Sequence, residues 1–128
     1  MKLLLFSDIH SDFAGAAKLA ELSRNADVVI GAGDFCVARR GLDDIIAALS
    51  VIKKPTLCVA GNAESHEELA QACRFWPTAH VLHGSPTTLD DVTFYGIGGG
   101  IPITPFGAWS WDFSEDEARK LLQDLQTG

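Results

Sequence analysis

Four side chains of the kinds that hold divalent cations recur at nearly even spacing in this 128-residue sequence: Asp8 with His10, then Asp34, then Asn62. Asp8 and Asp34 are 26 residues apart, and Asp34 and Asn62 are 28 apart. A carboxylate and an imidazole two residues apart, on the turn leaving a strand, are able to aim at one point above a sheet edge, which suits a metal ion. Carboxylate, imidazole and carboxamide together are of borderline hardness. They favour Mn, Fe or Zn over calcium, and Mg is also compatible. Each residue alone has an ordinary reading, since Asp and Asn after a strand are common turn formers and caps. The constellation carries the argument, and it depends on the elements that deliver these residues.

Those elements read as repeated βα units. Leu3-Leu4-Leu5-Phe6 is apolar enough for a central parallel strand buried on both faces, with Asp8 and His10 at its carboxyl end. Ser11-Asp12 offers an N-cap for a helix in which Ala16, Leu19 and Ala20 share a face, ending near Asn25. Ala26 to Ile30 gives a second strand running into Gly31-Ala32-Gly33-Asp34. Leu42, Ile45, Ile46 and Leu49 fall at helical spacing ahead of a stop at Lys53-Lys54-Pro55. Thr56 to Ala60 is a third strand, running into Gly61-Asn62. Ser65 and Glu68 form a capping box for a helix whose face is Leu69, Ala72, Cys73 and Trp76. Right-handed crossovers return each strand in the same direction, so three successive strands bring all four candidate ligands to one edge of a parallel sheet. That edge is where open α/β sheets carry their chemistry.

The second half is less regular. Ala79 to Gly84 reads as a fourth strand, and Val92 to Ile97 as another strand after the Asp90-Asp91 turn. Gly98-Gly99-Gly100 permits a close backbone approach, to a ligand or to a neighbouring loop. Ile101 to Trp111, with two prolines and two tryptophans, reads as an irregular loop. Its aromatics either shield the rim of the site or fold in upon themselves. A last helix spans Ser114 to Thr127, with a capping box at Ser114 and Glu117, a stripe of Ala118, Leu121, Leu122 and Leu125, and a Gly128 cap.

Ten Lys and Arg against seventeen Asp and Glu leave a net charge of −7, which excludes a broad nucleic-acid-binding surface. No apolar run approaches the roughly 18 residues of a membrane span. Met1 to Phe6 is too soon interrupted by Asp8 and His10, with no small-residue cleavage site, to be a signal peptide. Cys36, Cys58 and Cys73 are odd in number and lack paired spacing, which favours reduced thiols and a cytoplasmic location.

Asp8-Ile9-His10, Gly33-Asp34 and Gly61-Asn62-Ala63-Glu64 resemble, in order, the Asp-x-His, Gly-Asp and Gly-Asn-His-Asp/Glu blocks of the calcineurin-like metallophosphoesterases. The resemblance implies an α/β fold in which βαβ units with a mainly parallel sheet form the N-terminal part of a four-layer α/β/β/α sandwich. It also implies two divalent ions (Mn, Fe, Zn or Mg), with Asp8 and His10 on the first, Asp34 bridging, and Asn62 on the second and touching the substrate phosphate. Such ions, about 3.5–4 Å apart, share and activate a hydroxide for in-line attack on phosphorus. The implied substrate is a phosphate mono- or diester, either a small molecule or a nucleotide.

The sequence departs from this pattern twice. Ala63 stands where the family has a histidine, and a methyl group cannot donate a proton. His66 is the candidate substitute acid, the plainer reading being a solvated histidine at a helix end. Arg39 is a candidate phosphate contact, alongside Arg40, the plainer reading being an exposed basic pair. The family's later Gly-His blocks are absent, so residues 1–128 read as a single incomplete domain holding one ion or none unless His66, His80 or His83 is recruited. Two readings follow: a metallophosphoesterase, weak or inactive as this chain, or a phosphoesterase-like interaction module. Missing strands would also expose sheet surface and favour self-association.

Overall fold

The computed structural model describes residues 1–123. Four parallel strands, β1 (Leu3–Phe6), β2 (Val28–Gly31), β3 (Thr56–Cys58) and β4 (Ala79–Val81), pair in sequence order to form one sheet. Leu3 lies opposite Val28, Val29 opposite Thr56, and Leu57 opposite His80. Between them run α1 (Phe13–Ser23), α2 (Leu42–Leu49) and α3 (His66–Ala72), and a 3-10 turn at Cys73–Phe75 continues α3. The expected βαβ arrangement is therefore present.

The helices form where the sequence places their caps. The Asp12 carboxylate accepts the Gly15 N–H, and both halves of the Ser65/Glu68 box are made. All four residues of the α2 stripe are buried. With Val29, Leu69 and Trp76 they form the core between helices and sheet. Trp76 is fully covered, and its indole N–H donates to the Ile52 carbonyl at 3.1 Å, so its one polar group is not left unpaired. Each large aliphatic side chain buried here contributes about 1.5–3 kcal/mol.

On the other sheet face lies a hairpin, β5 (Ser85–Leu89) with β6 (Val92–Gly96). Its two-residue turn, Asp90-Asp91, has φ of 48° and 64°, the left-handed pair that matches the twist of the flanking strands. Strand β5 was not expected from the sequence, because Pro86 and two threonines hide its alternation. The hairpin packs closely: a Cβ on Gly96 would sit 2.7 Å from Val59 and 3.0 Å from Leu82. An apolar cavity of about 260 Å³ remains between the layers, lined by Ile30, Leu57, Phe94 and Tyr95 among others.

Strand β1 corrects the expectation of a central strand buried on both faces. It is the edge of the sheet, and although Leu4 and Phe6 pack toward the core, Leu3 is 42% and Leu5 65% exposed. Helix α4 (Glu115–Leu121) starts with half of the expected box, the Ser114 hydroxyl accepting the Glu117 N–H at 3.2 Å. Leu125 and the Gly128 cap lie outside the described residues. None of the described helices is long and apolar enough to cross a membrane.

Candidate metal centre

The turns leaving β1 and β2 are laced together by their backbones. Asp8 N–H donates to the Gly33 carbonyl (3.0 Å), His10 N–H to that of Asp34 (3.2 Å) and Ser11 N–H to that of Phe35 (2.9 Å). Between the two ligands Ile9 is buried in the core, which leaves its neighbours Asp8 and His10 facing outward. Asp8, His10 and Asp34 have φ of 57°, 46° and 56°. Left-handed backbone at non-glycine residues costs about 1–3 kcal/mol apiece, and it persists where a structure holds side chains for a task.

One potential ligand atom from each of Asp8, His10 and Asp34 lies within 4.8 Å of the others. The imidazole Nδ1 donates to the Cys36 carbonyl at 3.1 Å, which selects the tautomer with a free Nε2 lone pair. That Nε2 faces Asp8 Oδ1 at 3.4 Å. The Asp8 carboxyl titrates below the usual carboxylate range, chiefly through the Ser7 hydrogen bond, with smaller help from Asp34 and His10 against the opposing effect of burial. Two carboxylates and a tethered imidazole converging at this edge fit a divalent ion. The Asp34 Oδ1 also accepts the Ala63 N–H at 3.0 Å, so the second and third blocks are in contact.

Glycine is required where these blocks meet. Gly33 has φ of 97°, and a Cβ there would lie 2.7 Å from the Gly61 nitrogen; a Cβ on Gly61 would collide with Asp34 Oδ1. Beneath them is Glu64, fully buried, to which the sequence reading assigned no role. One of its oxygens accepts the N–H groups of Asp34 (2.8 Å) and Gly61 (2.7 Å), the other those of Phe35 (2.8 Å) and Cys36 (3.2 Å). A single carboxylate thus satisfies four backbone donors from the two turns that carry the ligands. The acidic fourth residue of the block Gly61 to Glu64 was the available signal. The same charge, after burial, pushes the Cys36 thiol up to about 12.

Asn62 donates its Nδ2 to the Ser110 hydroxyl at 2.9 Å, which orients the carboxamide and leaves Oδ1 as its free acceptor atom. Arg39 is half-buried rather than part of an exposed surface pair: its Nε donates to Glu68 and its Nη1 to the Trp109 carbonyl at 2.9 Å. A cavity of about 750 Å³ beside it is lined by Asp43, Asp44, Glu67 and Glu68, which repel phosphate, and none of the three clustered ligands lines it. His66 is not a solvated helix end. Its Nδ1 is buried without a hydrogen-bond partner among the described residues, and its ring stacks on His83 at 5.2 Å, outside the Asp8, His10, Asp34 group. His83 packs in turn against Trp111 and Phe113, while His80 is exposed on β4.

Gly98 to Gly100 approach a neighbouring strand end. Gly99 N–H donates to the Ala60 carbonyl at 2.9 Å, and a Cβ on Gly98 would collide with that oxygen. The loop beyond is folded by polar groups: Asp112 accepts the Thr104 N–H (2.9 Å) and the hydroxyls of Thr104 (2.6 Å) and Ser110 (2.7 Å). It is tied to the third block by Trp111 N–H donating to the Asn62 carbonyl at 2.9 Å.

Residues 1–95, about three quarters of the chain, match the calcineurin-like phosphoesterase superfamily domain. The protein belongs to that superfamily, whose members are metal-dependent phosphoesterases. The fold is also that of solved structures. The crystal structure of TT1561 of Thermus thermophilus superposes with a TM-score of 0.81 at 20% identity, over 98% of this chain and 61% of that one. A second crystal structure superposes with a TM-score of 0.78 at 14% identity, over 99% of this chain and 64% of that one. The chain therefore spans a little over three fifths of the length of these structures. Among curated proteins none matches.

Proposed function

We propose that this protein is a hydrolase of phosphate mono- or diesters whose metal is held by Asp8, His10 and Asp34, with Asn62 contributing Oδ1. The observation that carries the reading is the convergence of Asp8, His10 and Asp34 within 4.8 Å at the carboxyl edge of the sheet. A divalent ion bound there, Mn, Fe, Zn or Mg, supplies positive charge to phosphoryl oxygens and acidity to water. The chain's own residues orient that chemistry. The Cys36 carbonyl holds His10 in its ligating tautomer, Glu64 clamps the two ligand turns, and Ser110 fixes the Asn62 amide that faces substrate phosphate. Ala63 provides no proton and the His66 Nδ1 is buried without a partner among the described residues, which favours water as the proton source for the leaving group. Arg39 acts as a brace among α3, the loop and the second block. The three buried free thiols support a cytoplasmic location.

Ala63 also favours a second reading, an interaction module that keeps the fold without turnover. Elemental analysis and Mn²⁺ titration of the wild type and Asp34→Asn separate the two. We expect metal bound by the wild type and at least tenfold weaker binding in the variant, with the circular dichroism unchanged. Absence of binding in both proteins sinks the hydrolase reading and leaves the module.

A further inference from the structure

Two large rings stand out of the loop beside the candidate centre. Phe106 is 57% and Trp109 39% exposed, and they stack nearly parallel, with centroids 6.0 Å apart and planes 10° apart. An aromatic side chain of this size gains most by burying about 150–250 Å² of surface, so a stacked pair left in solvent on an ordered loop calls for a partner. The rings are not what folds the loop, since Asp112 does so through Thr104 and Ser110. Nor is the loop loosely placed. The Trp109 carbonyl accepts from Arg39, and the next residue, Ser110, holds the amide of Asn62. The stretch Ile101 to Trp111 contains no charged side chain, in a protein of net charge −7.

We infer that Phe106 and Trp109 form a stacking platform for a flat, uncharged ring carried by the phosphate ester, which makes the substrate class a nucleoside phosphate or another ester with a heteroaromatic group. The inference rests on the phosphate-ester reading above and extends it from the phosphoryl group to the remainder of the substrate. A base lying on the outer face of the pair lengthens the stack, and its phosphate reaches toward Asn62. An anionic or hydroxylated aliphatic portion gains less from these rings, whose faces are apolar and carry negative charge density.

The test is calorimetric titration of the chain, with and without Mn²⁺, using adenosine 5′-monophosphate and ribose 5-phosphate, which differ in the base. Stacking of one base on an aromatic side chain predicts roughly tenfold tighter binding of the nucleotide. In Trp109→Ala that gap closes while ribose 5-phosphate affinity is unchanged. In Trp109→Phe, which keeps a ring, most of the gap remains. Equal affinities for the two ligands in the wild type, or a parallel loss of both in Trp109→Ala, overturn the platform. Because the gap is also read without metal, the platform is decided even where Mn²⁺ fails to bind and the metal site is refuted. No binding of either ligand under both conditions overturns the platform together with the phosphate site.

Discussion

At the residue scale, the centre depends as much on a residue that touches no substrate as on its ligands. Glu64 is an anion with no exposed surface, and its charge is stabilised by four N–H donors. Hydrogen bonds to a charged acceptor are worth about 1.5–3 kcal/mol, and removing the acceptor leaves buried donors unpaired. Glu64→Gln replaces one acceptor oxygen with an NH₂ group that opposes the N–H groups of Asp34 and Gly61 or those of Phe35 and Cys36. We expect urea denaturation to register a loss of about 3 kcal/mol, together with weaker Mn²⁺ binding, because Asp34 loses its backbone support. A loss below about 1 kcal/mol would show that the clamp does not hold the turns. Asp8, His10 and Asp34 were legible from type and spacing. The role of Glu64 was not, since four donors from two distant turns meet only after the strands pair.

At the element scale, a histidine joins the end of β4 to the segment after β6. The neutral His83 Nδ1 accepts the Gly98 N–H at 3.1 Å, joining β4 to the glycine run after β6. Burial, and then the neighbouring His66, lower the His83 pKa from 6.5. A folded pKa below the unfolded one means that the unfolded chain binds more protons between the two values. The contribution to stability is therefore present above pH 6.5 and is lost as the pH falls through the folded pKa. Thermal unfolding measured from about pH 7.5 to 5 is expected to show a falling midpoint in the wild type and a shallower fall in His83→Gln. Equal slopes would assign the titration to other groups. Helices were readable at this scale because caps and stripes are local, as at Asp12, Ser65 and the α2 face. Strand β5 was not, because a short strand with a proline is defined by its partner rather than by its own pattern.

At the scale of the whole molecule, the parallel sheet has one covered face and one partly covered face. The hairpin lies over β3 and the end of β4, while Leu3 and Leu5 of the edge strand remain in solvent. Edge strands with apolar side chains pair readily with further strands unless a charge or a proline intervenes. Sedimentation velocity across a range of concentrations should show self-association of the wild type. Leu5→Lys should remain monomeric with stability changed by less than about 0.5 kcal/mol, as befits an exposed position. A concentration-independent wild type would refute association through this edge.

Residue order alone determined the βα rhythm, the three turns that carry the candidate ligands and the family they resemble. The rhythm and the turns follow from periodicity and spacing within each unit of roughly thirty residues, and the resemblance from the residue types of the three blocks at those turns. The tertiary structure decided what depends on contacts between distant segments. It set β1 at an edge rather than in the centre and placed Glu64 under both ligand turns. It tied Arg39 to Glu68 and turned His66 inward against His83. It also left Phe106 and Trp109 exposed on a loop whose fold rests on Asp112. In each case the deciding partner lies far along the chain, and no local pattern records it.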